Sequence, residues 1–215
     1  MSNSTISILI GSGGHAKSVL SALKASDVYI DYVYSTKDLK ANFFDIPIIQ
    51  EIDFLKERFT KIFFYFGLGN GQLRQELYVE IVKTLESADF PHLIHPTAFV
   101  SEFAKISEGA VILAGAVVGA DAEIGIGALI NTQASLDHDS KLGDFSTLAP
   151  GARTGGNVKI GSLSNVYMNA VVAPGIIIGN NCVLGANIFV KHNCMDGTKL
   201  ISQAPILCKG GYSNV

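Results

Sequence analysis

The sequence predicts a small α/β unit followed by a β-solenoid, and three observations predict it. From Ile94 to Val190 an aliphatic residue recurs at every sixth position, with Thr154 the single exception among seventeen sites. Two residues before these sites stands a small residue: Ala98, Ala104, Ala110, Ala116, Ala122, Ala128 and Ala134, then Ser140, Ser146 and Ala152. Before residue 90 this period is absent, and strand-turn-helix patterns take its place.

The elements follow in order. Ile6–Ile10 reads as a short buried strand, Gly11-Ser12-Gly13-Gly14 as a tight turn, and His15–Lys24 as a helix with Val19, Leu20 and Leu23 on its apolar face. Val28–Val33 is expected as a second strand and the aromatic-rich Lys61–Phe66 as a third. Residues 69–85 carry Leu73, Leu77, Ile81 and Leu85 at helical spacing. Together these predict a small parallel α/β domain over residues 1–90, passing without a flexible linker into the first hexad.

Six residues are three period-2 steps, so a short strand plus a corner repeats with one branched side chain always facing inward. Three hexads then make one triangular coil, stacked about 4.8 Å above the last through parallel ladders. Residues 91–193 are expected to form this solenoid and 194–215 a tail. Glycine often follows the aliphatic site, as at Gly119, Gly125, Gly143, Gly155, Gly161, Gly179 and Gly185, where a corner needs either positive φ or close backbone approach.

Composition excludes several classes. The 215 residues carry a net charge of -3 without a basic run, which leaves no electrostatic footprint for nucleic acid. No apolar stretch approaches the roughly 20 residues of a membrane span, and the apolar run at Ile6 lacks a basic leader. A cytoplasmic protein with no membrane partner is expected. Cys182, Cys194 and Cys208 lack C-x-x-C spacing, which fits reduced thiols and no metal site; Cys182 falls on the small inward register and reads as core.

Chemistry is suggested at three places. Gly11, Gly13 and Ala16 fit G-x-G-x-x-A between a strand and a helix, where backbone N–H groups receive a phosphate. Asp31 has the spacing of a ribose-binding carboxylate but sits inside the expected strand, and the half-sized domain disfavours NAD. His138, flanked by Asp137 and Asp139, occupies a corner that most hexads give to small residues, and neighbouring carboxylates make an imidazole an effective base near neutral pH. Gly155-Gly156, next to the exceptional Thr154, is either a packing concession or a close backbone approach to a ligand. His92, His95 and His192 are assigned no chemistry.

Four stretches carry a resemblance: Ile10-Gly11-Ser12-Gly13-Gly14-His15-Ala16-Lys17, Phe66-Gly67-Leu68-Gly69-Asn70 with Arg74, Asn131-Thr132 through Asp137-His138-Asp139, and Ala149-Pro150-Gly151-Ala152 with Gly155-Gly156-Asn157-Val158. In this order the chain resembles the two-domain hexapeptide-repeat sugar acyltransferases, similar to the bacillosamine and perosamine N-acetyltransferases and the sialic acid O-acetyltransferase group. The resemblance implies a Rossmann-like half domain holding a nucleotide-linked amino sugar, a left-handed parallel β-helix binding acetyl-CoA, and a homotrimer with sites between solenoids, serving surface-glycan synthesis. It makes His138 the general base and Asp139 its supporting carboxylate. Asn131, Thr147, Gly156, Met168 and Ala186 would face acetyl-CoA, with the Gly156 N–H on the thioester oxygen. Gly11, Ser12, Gly13, Gly14, His15, Ser35, Thr36, Gly69, Asn70 and Arg74 would line the nucleotide-sugar crevice.

The chain departs from the pattern in three places. Ser35-Thr36 stands where relatives commonly carry an acidic pair for the nucleobase, Thr147 where many have a second histidine, and Ala204-Pro205 through Lys209 only loosely matches their ending. A hydroxyl acceptor such as sialic acid, or a non-catalytic nucleotide-sugar scaffold, are the rival readings.

Overall fold

The computed structural model describes residues 5–36, 41–56 and 58–201; Cys208 and the tail from Ala204 lie outside them. Strands β1 (Thr5–Ile10) and β5 (Lys61–Phe66) pair in parallel from Thr5 against Lys61 to Ile10 against Phe66. Both read as nearly continuous apolar runs because both faces of a central parallel strand are covered. Helices α1 (Gly14–Ala25) and α2 (Gly71–Thr84) follow them, and α1 buries Ala16, Val19, Leu20, Ala22 and Leu23.

Two expectations are corrected here. The second strand, β2, spans Tyr32–Tyr34 rather than Val28–Val33. Asp31 stands just outside it, its carboxylate accepting from the Ser7 N–H at 2.8 Å, so a side chain replaces the ladder and the carboxylate is occupied structurally. The sheet is also mixed rather than purely parallel: β3 (Asn42–Phe43) and β4 (Ile46–Ile49) form an antiparallel hairpin. Its loop residues Phe44 and Asp45 have φ 49° and 64°, the pair of positive values that matches strand twist in a two-residue turn. The sheet order is β3-β4-β2-β1-β5-β6, closing at β6 (Ala88–Asp89).

From Leu93–Ile94 to Lys199–Leu200 the chain lays down two-residue strands that form three parallel ladders in rotation. Each strand pairs with the one eighteen residues on, as Val111 with Leu129, Val117 with Ser135 and Glu123 with Lys141. The aliphatic register fills the prism: Ile112, Val118, Ile130, Leu136, Leu148, Val166, Val172 and Leu184 are fully buried. Pairing continues past residue 193 in a coil two residues shorter, with Val183 against Lys199 and Ile178 against Cys194.

The corners divide the conformational work between two positions. From Gly109 to Asn187 one residue in each hexad has positive φ, filled by Gly, Asn, Asp and, less usually, Gln133, Phe145 and Leu163. The glycine after the aliphatic site serves close approach instead: a Cβ on Gly143 would stand 2.6 Å from the Ser162 nitrogen of the coil above.

The first sheet packs on the first ladder, whose outward residues Leu93, Val111 and Leu129 join its apolar core. Phe90 stacks on Phe64 and Phe66 at the junction, and Tyr78 donates to Glu108 at 2.6 Å.

Candidate active site

His138 projects from the corner between the second and third ladders. Asp139 follows it at φ 58°, a left-handed conformation that Asp tolerates, and this turns its carboxylate back onto the ring: Oδ2 lies 2.7 Å from Nδ1. Asp137 caps the His138 N–H through Oδ1 at 2.8 Å, while the His138 carbonyl accepts from Asn157 on the next coil. The Asp139 hydrogen bond, with the Asp137 charge beside it, raises the imidazole pKa above its ordinary value despite slight desolvation. Engaging Nδ1 leaves Nε2 for chemistry, on a side chain 61% exposed.

Gly156 lies on the same corner one coil on. A Cβ there would overlap the His138 ring, at Cε1 and Nε2. Comparable corner N–H groups are capped by Asx side chains, as Ile126 by Asp144, Ser162 by Asn180 and Asn180 by Asp196. Those caps come from the next coil, and the position above Gly156 is Pro174, which has no acceptor side chain; the preceding residue, Gly155, has none either. Among the described residues the Gly156 N–H has no hydrogen-bond partner. A free donor therefore sits beside a free imidazole nitrogen.

A separate crevice opens at the carboxyl ends of β1 and β2. Gly11, Ser12, Gly13, Ser35 and Thr36 line a cavity of about 290 Å³, with Leu68, Leu73 and Leu77 opposite. Gly11 has φ 100°, and Gly13 caps α1 without a side-chain hydrogen bond, so the first N–H groups of the helix are left for a ligand. A Cβ on Gly13 or Gly14 would meet nothing within 4 Å. Ser12 and Ser35 hydroxyls are 3.0 Å apart. Burial, then the Arg74 charge, lowers the His15 pKa to about 4, so the ring is neutral, and its buried Nε2 has no partner. Gly69 and Asn70 lie in a second cavity of about 360 Å³ that reaches Asn165 and Tyr167 on the solenoid.

Residues 7–81 match the family model of the PglD N-terminal domain. GDP-perosamine N-acetyltransferase of Escherichia coli O157:H7 is 26% identical over 149 residues, 69% of this chain and 65% of that protein, so the chain spans slightly under two thirds of that relative. A histidine-to-alanine variant of GDP-perosamine N-acetyltransferase from Caulobacter crescentus, solved with CoA and GDP-perosamine, is 29% identical with a TM-score of 0.86, covering 92% of this chain and 93% of that one. Over 92% of its length the chain is thus similar to an amino-sugar N-acetyltransferase, and over residues 7–81 to the PglD N-terminal domain. The acetyltransferase domain of PglB from Neisseria gonorrhoeae, solved with acetyl coenzyme A, is 28% identical at a TM-score of 0.84, covering 93% and 97%.

Arg74 is placed differently from the expectation. It is 1% exposed, and its guanidinium donates to the carbonyls of Gly127, Leu68, Gly69, Phe145 and Ser146 and to the Thr147 hydroxyl at 2.8–3.1 Å. Every donor is consumed within the protein, so Arg74 joins the sheet domain to the solenoid instead of lining the crevice. Thr147, expected on the donor side, is its partner in that junction and is 7% exposed. Asn70 caps α2 by accepting from the Leu73 N–H at 3.0 Å.

Asn131, Met168 and Ala186 stand on the corner between the first and second ladders, Met168 one coil below Ala186 and 52% exposed. Within one chain they therefore occupy a different edge of the prism from His138 and Gly156. Among the described residues no cluster of three His, Cys, Asp or Glu side chains is arranged for a metal, and no helix is long and apolar enough to cross a membrane. Thr154, the break in the aliphatic register, is buried and its hydroxyl accepts from the Asp137 N–H at 3.0 Å.

Proposed function

We propose that the protein transfers the acetyl group of acetyl-CoA to the amino group of a nucleotide-linked amino sugar. The observation that carries this reading is the apposition of the His138 Nε2 and the unpartnered Gly156 N–H, with Asp139 on the opposite ring nitrogen. The amine attacks the thioester carbonyl, and the developing oxyanion is held by the Gly156 N–H. His138 takes the amine proton at Nε2, the C–S bond breaks as the tetrahedral intermediate collapses, and the proton passes to the CoA thiolate. No acyl-enzyme is formed; Cys182, the cysteine on the solenoid's inward register, is fully buried.

The G-x-G-x-x-A turn and the open N-terminus of α1 suit the diphosphate, with Ser12, Ser35 and Thr36 offering hydroxyls to the nucleoside and Gly69 and Asn70 leading the sugar toward the solenoid. Asn131, Met168 and Ala186 would lie along acetyl-CoA. Because these residues and His138 stand on different corners, a complete site needs a second copy of the chain. The second ladder offers a surface for it: its outward row runs Phe99, Val117, Ser135, Arg153, Val171 and Phe189, with exposed apolar pairs at both ends, whereas the third carries Lys105, Glu123, Lys141 and Lys159 before Ile177. A trimer of left-handed helices, a division near residue 90 and a place in cytoplasmic surface-glycan synthesis complete the reading.

The experiment is release of CoA thiol from acetyl-CoA with GDP-, UDP- and dTDP-linked amino sugars, free sialic acid and an acceptor-free blank. Release dependent on one nucleotide amino sugar is expected. Release with sialic acid alone would replace the amine by a hydroxyl acceptor, and silence throughout would contradict acetyl transfer to any of these acceptors.

A further inference from the structure

Thr154 is the one site of seventeen where the prism column is not aliphatic, and it is 6% exposed. A hydroxyl in an apolar interior is unfavourable unless it is hydrogen-bonded. The bond it makes interrupts the ladder rule.

In the regular coils the residue after the aliphatic site donates its N–H to the backbone carbonyl of the column residue one coil on, as Gly119 to Leu136, Asn131 to Leu148 and Gly143 to Ile160 at 2.8–2.9 Å, and Gly155, after Thr154 itself, donates to Val172 at 2.9 Å. Asp137 instead donates to the Thr154 hydroxyl at 3.0 Å. The register between these two strands is correspondingly cut to the single pair Ser135 with Arg153, where neighbouring rungs on that ladder, such as Val117–Val118 on Ser135–Leu136, pair both residues.

The position of this irregularity gives it meaning. Asp137 caps the His138 N–H and adds to the charge that raises its pKa, and Thr154 precedes Gly155-Gly156 in the chain. One side chain is thus bonded to the base's neighbour and covalently next to the backbone donor. We propose that Thr154 is a positioning residue for acetyl transfer, its hydroxyl standing in for a backbone carbonyl so that the His138 corner is set against Gly156. This rests on the acetyltransferase reading. An ordinary ladder bond at this rung would draw the corner into the regular spacing of the others, and reacting groups lose rate steeply when displaced by fractions of an ångström.

Thr154→Val is nearly isosteric and restores the residue type of the other sixteen sites, so the fold is expected to keep or raise its Tm. Its kcat should fall about tenfold with both KM values within about twofold of wild type, and Thr154→Ser should retain most of the rate. The His138 imidazole titration followed by NMR should shift in Thr154→Val and not in Thr154→Ser. A Thr154→Val enzyme with wild-type kcat, or a Thr154→Ser enzyme equally impaired, would overturn the proposal. If the wild type turns over no acceptor, the acetyl-transfer reading fails instead, and an unshifted titration in Thr154→Val then decides against positioning without reference to turnover.

Discussion

Gly156 lies so close above His138 that a methyl group on its Cα would stand 2.5 Å from the imidazole Nε2. The two residues are eighteen apart, one coil of the solenoid, and only the absence of a side chain on Gly156 leaves room for the imidazole beside its N–H. Gly156→Ala is expected to displace the ring and lower kcat by about 100-fold or more, on the scale of losing an oxyanion donor. Steady-state kinetics beside a thermal melt checks it, since the exposed corner should leave the core intact.

Asp139 acts on His138 through one charged hydrogen bond. Asn keeps the left-handed backbone and a similar shape, so Asp139→Asn should fold normally. A base must be neutral to act, and Asp139 raises the pKa of His138; the acid limb of kcat/KM should therefore lie above the ordinary imidazole value in wild type and move to lower pH in Asp139→Asn. The plateau should fall about tenfold as basicity is lost. A pH profile of both proteins is the check.

Arg74 holds the N-terminal sheet unit against the solenoid with a guanidinium whose partners among the described residues are five carbonyls and one hydroxyl. Arg74→Met would leave the buried carbonyls of Gly127, Phe145 and Ser146 without their donor, a loss of about 3–5 kcal/mol and a Tm drop of about 10 °C. Calorimetry reads it directly. Thr147→Val removes a single acceptor and should cost about 1 kcal/mol.

His15 makes stability depend on pH. Its folded pKa is lowered to about 4 from 6.5, so between those values the unfolded chain binds a proton that the folded chain refuses. Stability is complete above about pH 6.5 and should decline as pH falls toward 4. The urea midpoint of wild type should drop more steeply over this window than that of His15→Asn.

The solenoid was legible because its period is a hard geometric constraint: each slip would turn Leu136 or Val166 out of the prism. The hairpin at Phe44-Asp45 was not, because Phe44 is not a usual residue for positive φ and its strands are only two and four residues long. Asp31 reads by spacing as a ribose ligand, yet its carboxylate is bound to Ser7 within the sheet. At the site, His138, Asp139 and Gly156 were visible as a local break in the hexads and are brought together by the coil repeat. Arg74 was placed in the crevice by resemblance, and a matching motif does not show the carbonyls from residues 127, 145 and 146 that enclose it. The glycines carried two open explanations, and only the stacking of successive coils decides for close approach.

The measurement that bears most directly on the account is acceptor-dependent CoA release by wild type and His138→Ala under saturating acetyl-CoA and nucleotide amino sugar. A kcat lower by roughly two orders of magnitude in His138→Ala, with the same melting curve and acetyl-CoA affinity, is the result expected of a general base. Equal turnover by the two proteins would remove His138 from the chemistry and with it the site built around Gly156.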